Sequence, residues 1–275
     1  MNTELMFGAA LTLRLPQDRI EEFLRATFPD AAGRLAHMQM RHIETVSPYP
    51  HYRDRRRKLS PKNLEDVVKE SVTGEIWRVS FLDHMLSLHS EELSSSLELS
   101  LSPGGAAHET QPLVLDGPLK SFDQESIINY LRSVVLEFHV DYGNIVSGNI
   151  LIVGSLTAWM GGVLWEDEKK YGKGGTADLQ FADEVNFYQT RQDEFHKWVP
   201  RAAWGNILSE EHVAGLGGES RIRAECDCFL VQRWNKNLYI QLTESLADVT
   251  KQELLSLNQF LGPVRFPGAP DPVYF

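Results

Sequence analysis

The sequence predicts an α+β protein with antiparallel sheets and packed helices, and three observations predict it. Residues 5 to 15 and 92 to 101 alternate apolar with small or polar side chains, the period of a strand with one buried face. The stretches behind Asp18, Ser60, Ser121 and Thr250 instead repeat apolar residues every three to four positions, the period of an amphipathic helix. The order strand, helix, strands, helix can be written twice. It divides the chain at 1–143 and 144–275, as two related α+β halves or as parts of one continuous domain.

Taken in order, the first strand carries Phe7, Ala9, Leu11, Leu13 and Leu15 against Gly8, Thr12 and Arg14, and reads as half-buried. Pro16 and Asp18 open a helix with Ile20, Phe23, Leu24 and Phe28 on one stripe, and Pro29 is expected to stop it. Residues 35 to 46 read as a second strand paired with the first. A loop of prolines and tyrosines, Pro48 to Tyr52, leads into Arg53-Asp54-Arg55-Arg56-Arg57-Lys58. This basic cluster in an acidic chain reads as a solvated loop, or as a contact for an acidic partner or nucleic acid. Ser60-Pro61 starts the next helix, with Leu64, Val67, Val68 and Val72 on one side and Gly74 at its end. Residues 75 to 89 and 92 to 101 form a hairpin, and Pro103 to Pro118 a Pro/Gly-rich loop. Ser121-Phe122-Asp123-Gln124 has the capping-box pattern ahead of the longest amphipathic helix, Ile127 to Phe138.

In the second half, no charged residue lies between Asp141 and Glu166, a window long enough to span a bilayer. Its Asn144, Asn149, hydroxyl side chains and glycines favour buried strand and loop instead. Trp165 to Thr176 reads as an exposed, flexible excursion, and Trp198 to Gly218 as a scaffold where strand becomes helix. There Trp198, Arg201 and Trp204 bring bulk, Gly205 marks a bend, Ser209 caps a short helix, and Leu216-Gly217-Gly218 ends it. Residues 222 to 234 and 238 to 243 read as a hairpin turned at Asn235-Lys236-Asn237. The closing helix starts at a second capping box, Thr250-Lys251-Gln252-Glu253, and stops at Gly262-Pro263. The Pro-rich tail from Phe266 is extended.

The net charge of −11 argues against a general nucleic-acid binder, which needs a positive face for phosphates. It fits either plain solubility or the attraction of a basic partner. Cys226 and Cys228 are the two cysteines; on a strand they share a face, where a bridge would be strained, so they read as small packed thiols. That usage fits a reducing compartment. The amino terminus has Glu4 and no basic cluster before its apolar run, so the expected location is the cytoplasm, without a membrane anchor. Gly172 to Ala177 fits a loose dinucleotide pattern but has no strand before it. There is no His-Glu-x-x-His and no Gly-x-Ser-x-Gly, and His37/His42 and His84/His89 are five apart, on opposite strand faces. No catalytic residue, metal or cofactor is therefore expected.

The pattern Arg201…Trp204-Gly205…Leu208…Val213…Leu216-Gly217-Gly218 resembles the bacterial type VI secretion immunity proteins, including the toxin-immunity family paired with endonuclease toxins. The resemblance continues through Arg233-Trp234, Leu238 to Leu242 and Leu261-Gly262-Pro263-Val264; the first half matches only in element order. It implies a non-enzymatic immunity protein that binds and neutralises a cognate secreted toxin, a nuclease, without touching nucleic acid or membrane itself. Homo-oligomerisation stays open. Such toxins have basic clefts, so the expected contact is acidic: Glu166, Asp167, Glu168, Asp178, Asp183 and Glu184, in the Gly-rich region. Two other classes remain, a hydrolase or transferase with a dispersed site and an interaction protein with no toxin partner.

Overall fold

The computed structural model describes residues 6–38, 40–47, 54–76, 78–82, 96–101, 110–148 and 191–269. The strands are β1 (Met6–Arg14), β2 (His42–Val46), β3 (Asp54–Lys58), β4 (Arg78–Leu82), β5 (Ser96–Ser100), β6 (Thr110–Pro118), β7 (Val140–Gly148), β8 (Gly205–Leu208), β9 (Leu230–Trp234) and β10 (Asn237–Gln241). The helices are α1 (Ile20–Arg34), α2 (Pro61–Val72), α3 (Gln124–Glu137), α4 (Glu210–Gly215), α5 (Glu219–Glu225) and α6 (Lys251–Phe260). The class is α+β. All ten strands join one antiparallel sheet, in the order β3-β2-β4-β5-β6-β1-β7-β8-β10-β9. The pairing of β7 with β8 carries the sheet from the first half into the second, and β7 itself contains residues 143 and 144.

Register assigns the faces. Phe7, Ala9, Leu11 and Leu13 share one with Leu113, Leu115, Leu97, Leu99, Val79, Phe81 and Ile43, an apolar sheet surface built by period-two alternation. Helices close over it: Phe28 meets Phe81 at 4.2 Å between ring centroids, Phe7 meets Phe122 at 5.0 Å, and α1 packs on α3 through Phe23 and Phe138 at 4.8 Å. Unlike the half-buried strand expected, β1 is buried on both faces, because Gly8, Ala10 and Thr12 are covered as well. A strand with β6 on one side and β7 on the other lies deep in the sheet, and its small residues allow that close covering.

Several elements differ from the sequence-based expectation. Helix α1 runs through Pro29 to Arg34. A proline removes only one helical donor, and Pro29 is exposed, so solvent can reach the Arg25 carbonyl left without it. The second strand is shorter than 35–46 and pairs with β3 and β4, not β1. Half of the expected loop 103–118 is β6, which lies between β5 and β1. Its Pro112 sits beyond Leu99↔Leu113, the last β5 pair, so its missing N–H falls where that ladder has ended. Ser60 caps α2 through the Asn63 N–H as expected. Asp123 is the N-cap of α3 without a side-chain cap bond; it accepts the Ser126 hydroxyl at 2.7 Å. Residues 222–225 are helical, so the last hairpin is β9 and β10, turned at Asn235 and Lys236 with Asn235 at φ 54°. Thr250 and Glu253 form the expected capping box. Among the described residues, no helix is long and apolar enough to cross a membrane.

Candidate functional site

The candidate site grows from one irregularity in the middle of the sheet. β1 and β7 pair residue for residue as far as Thr12↔Tyr142, and then Leu13 pairs with Val140. Asp141 is the extra residue of a β-bulge, a device that re-aims a side chain. Its carboxylate is 0% exposed, and a buried charge is tolerable only when paired and hydrogen-bonded. Both oxygens are satisfied. Arg14 donates to Oδ2 from Nη2 at 3.0 Å and Nε at 3.3 Å, and His139 Nε2 lies 3.0 Å from Oδ1. A carboxylate only accepts, so that nitrogen of His139 carries the proton. Burial alone would push the Asp141 carboxyl up; the hydrogen bonds from His139 and Arg14 outweigh it and hold the group below the usual carboxylate range.

Three further elements close around the bulge to form a half-open cleft of about 290 Å³. The end of α3 contributes Glu137 and Phe138, the start of α4 contributes Ser209, Glu210 and Glu211, and the hairpin turn contributes Asn235, Lys236 and Asn237. Asn237 Nδ2 donates to the Val140 carbonyl at 2.8 Å, tying the turn to the bulge. The start of α4 is fixed by a reciprocal cap. The His212 N–H donates to Ser209 Oγ at 3.2 Å, and the Ser209 N–H donates to His212 Nδ1 at 3.1 Å. Ser209 also donates its hydroxyl to the His196 carbonyl at 2.7 Å. His212 is wholly buried and needs its neutral form to accept there. Burial accordingly lowers its pKa to about 3. At the cleft mouth His139 is half-exposed, and Glu137, Glu210 and Glu211 are exposed carboxylates. The arrangement can present polar and charged groups to a partner. Among the described residues, no group of three or more His, Cys, Asp or Glu is placed to hold a metal ion.

Of the residues singled out by sequence, Glu166, Asp167, Glu168, Asp178, Asp183 and Glu184 lie outside the described residues. Of the Trp198–Gly218 stretch, Ser209, Glu210 and Glu211 line the cleft. Trp204 and Arg201 are buried and Trp198 half-buried. Gly205 opens β8 with the Ile145 side chain 3.1 Å from where a Cβ would stand. Leu216 is buried, and Gly217 and Gly218 end α4 at φ 87° and 94°, a region that favours glycine. Residues 54–58 of the basic cluster form the edge strand β3 where a loop was expected, and Arg53 lies outside the described residues. Arg56 pairs with Glu44 across the strands, and Arg57 donates to Glu70 of α2 at 2.6 Å. Arg14, His139 and Asp141 were not singled out by sequence. The signal for them was a charged residue inside each of two strand-like runs.

Comparison with solved structures finds a kinship of fold. This chain is similar to the Pseudomonas aeruginosa T6SS protein PA0821. The TM-score is 0.59 at 15% identity, over 95% of this chain and 73% of that one. No protein-family model matches the chain, and no curated protein matches it either. At that identity the likeness establishes a shared fold.

Proposed function

We propose that this chain is an immunity protein that binds and neutralises a cognate type VI-secreted toxin without catalysis, the toxin being a nuclease. The observation that carries the reading is the fold shared with a T6SS protein over 95% of the chain. The resemblance of the Trp204 and Gly217-Gly218 pattern to the type VI immunity proteins supplies the immunity class. The net charge of −11 supports it further, since an acidic protein is steered onto the basic cleft that a nuclease keeps for its substrate.

The test is co-expression with the product of the neighbouring gene. Growth arrest by that product should be relieved in proportion to the dose of this chain, and the two proteins should co-elute as a stoichiometric complex. A neighbour that is harmless alone, or no complex with a toxic one, would refute the reading. The His139–Asp141 pair favours a second reading, acid–base catalysis by a hydrolase or transferase. Under it, a small fraction of an equivalent would protect and His139→Gln would abolish protection. Under neutralisation by binding, protection saturates at one equivalent.

A further inference from the structure

Helix α5 is fastened to the molecule by few contacts. It has seven residues, too few for a helix to persist in water by itself, so the rest of the fold must hold it. Gly218 is its N-cap and gives it no side-chain bond. Ile222 is its buried residue, whereas Ser220, Arg221, Arg223, Ala224 and Glu225 are exposed. Its ties to β9 are polar. Glu219 Oε2 accepts from Arg233 Nε at 2.9 Å and Nη2 at 2.5 Å, and Arg223 Nη1 donates to the Val231 carbonyl at 2.8 Å. Glu219, Arg233 and Arg223 are 29%, 37% and 48% exposed, so water competes for each of these bonds. Both ends of α5 are joints. Gly217 and Gly218 precede it at φ 87° and 94°, and residues 226–228 after it are irregular, with Cys226 and Cys228 partly buried. A segment with one buried apolar anchor and exposed polar ties opens at a lower free energy than the sheet it rests on.

Among the described residues, β9 is the last strand of the sheet on this side. Its two-residue turn makes Trp234↔Asn237 a hydrogen-bonded pair, so Val231 and Arg233 direct their N–H and carbonyl groups away from β10. Arg223 occupies one of those groups, the Val231 carbonyl. The outward groups are self-complementary. A second β9, running antiparallel about a twofold axis at Gln232, sets Val231 opposite Arg233 of the partner subunit, and Arg233 opposite the partner's Val231. Each of these pairs exchanges both N–H···O bonds, as an isologous contact requires. Phe229 and Leu230, 55% and 37% exposed, stand at the start of β9 and flank that ladder at both ends. We propose that α5 is a latch: it swings off β9 while the sheet stays folded, and the edge it uncovers pairs with β9 of a second copy of this chain. Glu219 and Arg223 lie on the same short helix, so both polar ties are released in one movement about the glycine joint.

The test is native-state hydrogen exchange of the full chain, read beside sedimentation velocity. In the wild type, amides of α5 should exchange at least about tenfold faster than those of β8 and β10. Ile222→Ala removes the anchor. It should speed α5 exchange further, leave Tyr239 and Ile240 protected, and produce a dimer that grows with concentration. Val231→Pro in that background removes an outward N–H without touching the β10 ladder, and should return the protein to monomer. Exchange of α5 at the same rate as the sheet would overturn the proposal. So would an Ile222→Ala variant that stays monomeric, a dimer that survives Val231→Pro, or association beyond a dimer. If Ile222→Ala fails to fold, Glu219→Gln with Arg223→Gln cuts the polar ties and leaves the core intact, and the same outcomes decide.

Discussion

Trp204 ties three elements together through one side chain. Its indole is 1% exposed, stands 6.3 Å from the Phe122 ring, and donates its N–H to the Thr243 carbonyl at 3.1 Å and hydroxyl at 3.0 Å. Trp204→Ala should therefore cost about 3–5 kcal/mol in folding, read as a shift in the urea midpoint. An unchanged midpoint would show that the indole contributes little to the core. His212 carries a second expectation. The native group titrates near 3 and the unfolded one near its ordinary 6.5, so between those values the unfolded chain binds the extra proton. Stability should be full above about pH 6.5 and fall as pH drops, by at most about 1.4 kcal/mol per pH unit. His212→Gln keeps a capping-box residue three after Ser209 and has no proton to bind. It should flatten that slope in denaturation curves taken from pH 4 to 7. A slope equal to wild type would remove His212 as its source. At this scale the sequence announces bulk and caps: Trp204, Ser209 and Gly217-Gly218 fall where expected. It conceals Arg14 with Asp141, because the partners are 127 residues apart and a bulge leaves no mark on an alternating pattern.

The elements show how the sheet's two edges are kept from pairing further. On β3 the edge is arginine and lysine, neutralised from behind by Glu44 and Glu70. On β9, the two-residue turn makes Trp234↔Asn237 a hydrogen-bonded pair and points the backbone groups of Val231 and Arg233 outward. Arg223 of α5 covers the Val231 carbonyl, and Glu219 holds both Arg223 and Arg233. Charge on a strand edge is a recognised barrier to edge-to-edge association. Arg223→Ala should change stability by less than about 1 kcal/mol, as exposed ion pairs do. It should also raise concentration-dependent association in sedimentation experiments, and unchanged sedimentation would show that Arg223 does not guard this edge. Gly143 tests the opposite situation, the crowded centre. An added methyl would stand 2.6 Å from Leu11 Cδ2 and 3.1 Å from the Ala10 carbonyl, so Gly143→Ala should cost about 1–3 kcal/mol. Helices α2, α3, α4 and α6 were legible at this scale because caps and stripes are local, whereas α1 runs past Pro29 and α5 covers residues that read as strand. β6 was not legible, since Pro112 and Gly117 mimic a loop and only its pairing with β1 and β5 makes it a strand.

At the scale of the whole molecule, the sequence conveyed class but not connectivity. Element order indicates helices packed on antiparallel strands, yet nothing local says that β1 threads between β6 and β7, or that β7 reaches across to β8. Net charge is the one whole-molecule property read directly from the sequence, and it yields the last prediction. With a charge of −11, association with a basic toxin should be fast and fall steeply with salt. The Debye length shrinks from about 10 Å at 0.1 M to about 3 Å at 1 M. Replacing Glu166, Asp167, Glu168, Asp178, Asp183 and Glu184 with Gln or Asn should lower the association rate and flatten its salt dependence, while the dissociation rate changes little. The comparison set is Glu137, Glu210 and Glu211 around the cleft, replaced by Gln. If that set alone lowers the rate, the toxin docks over the cleft and residues 166–184 are not the contact. If neither set alters the rate or its salt slope, steering by charge is refuted, and an apolar surface such as that around Phe229, 55% exposed, becomes the place to search.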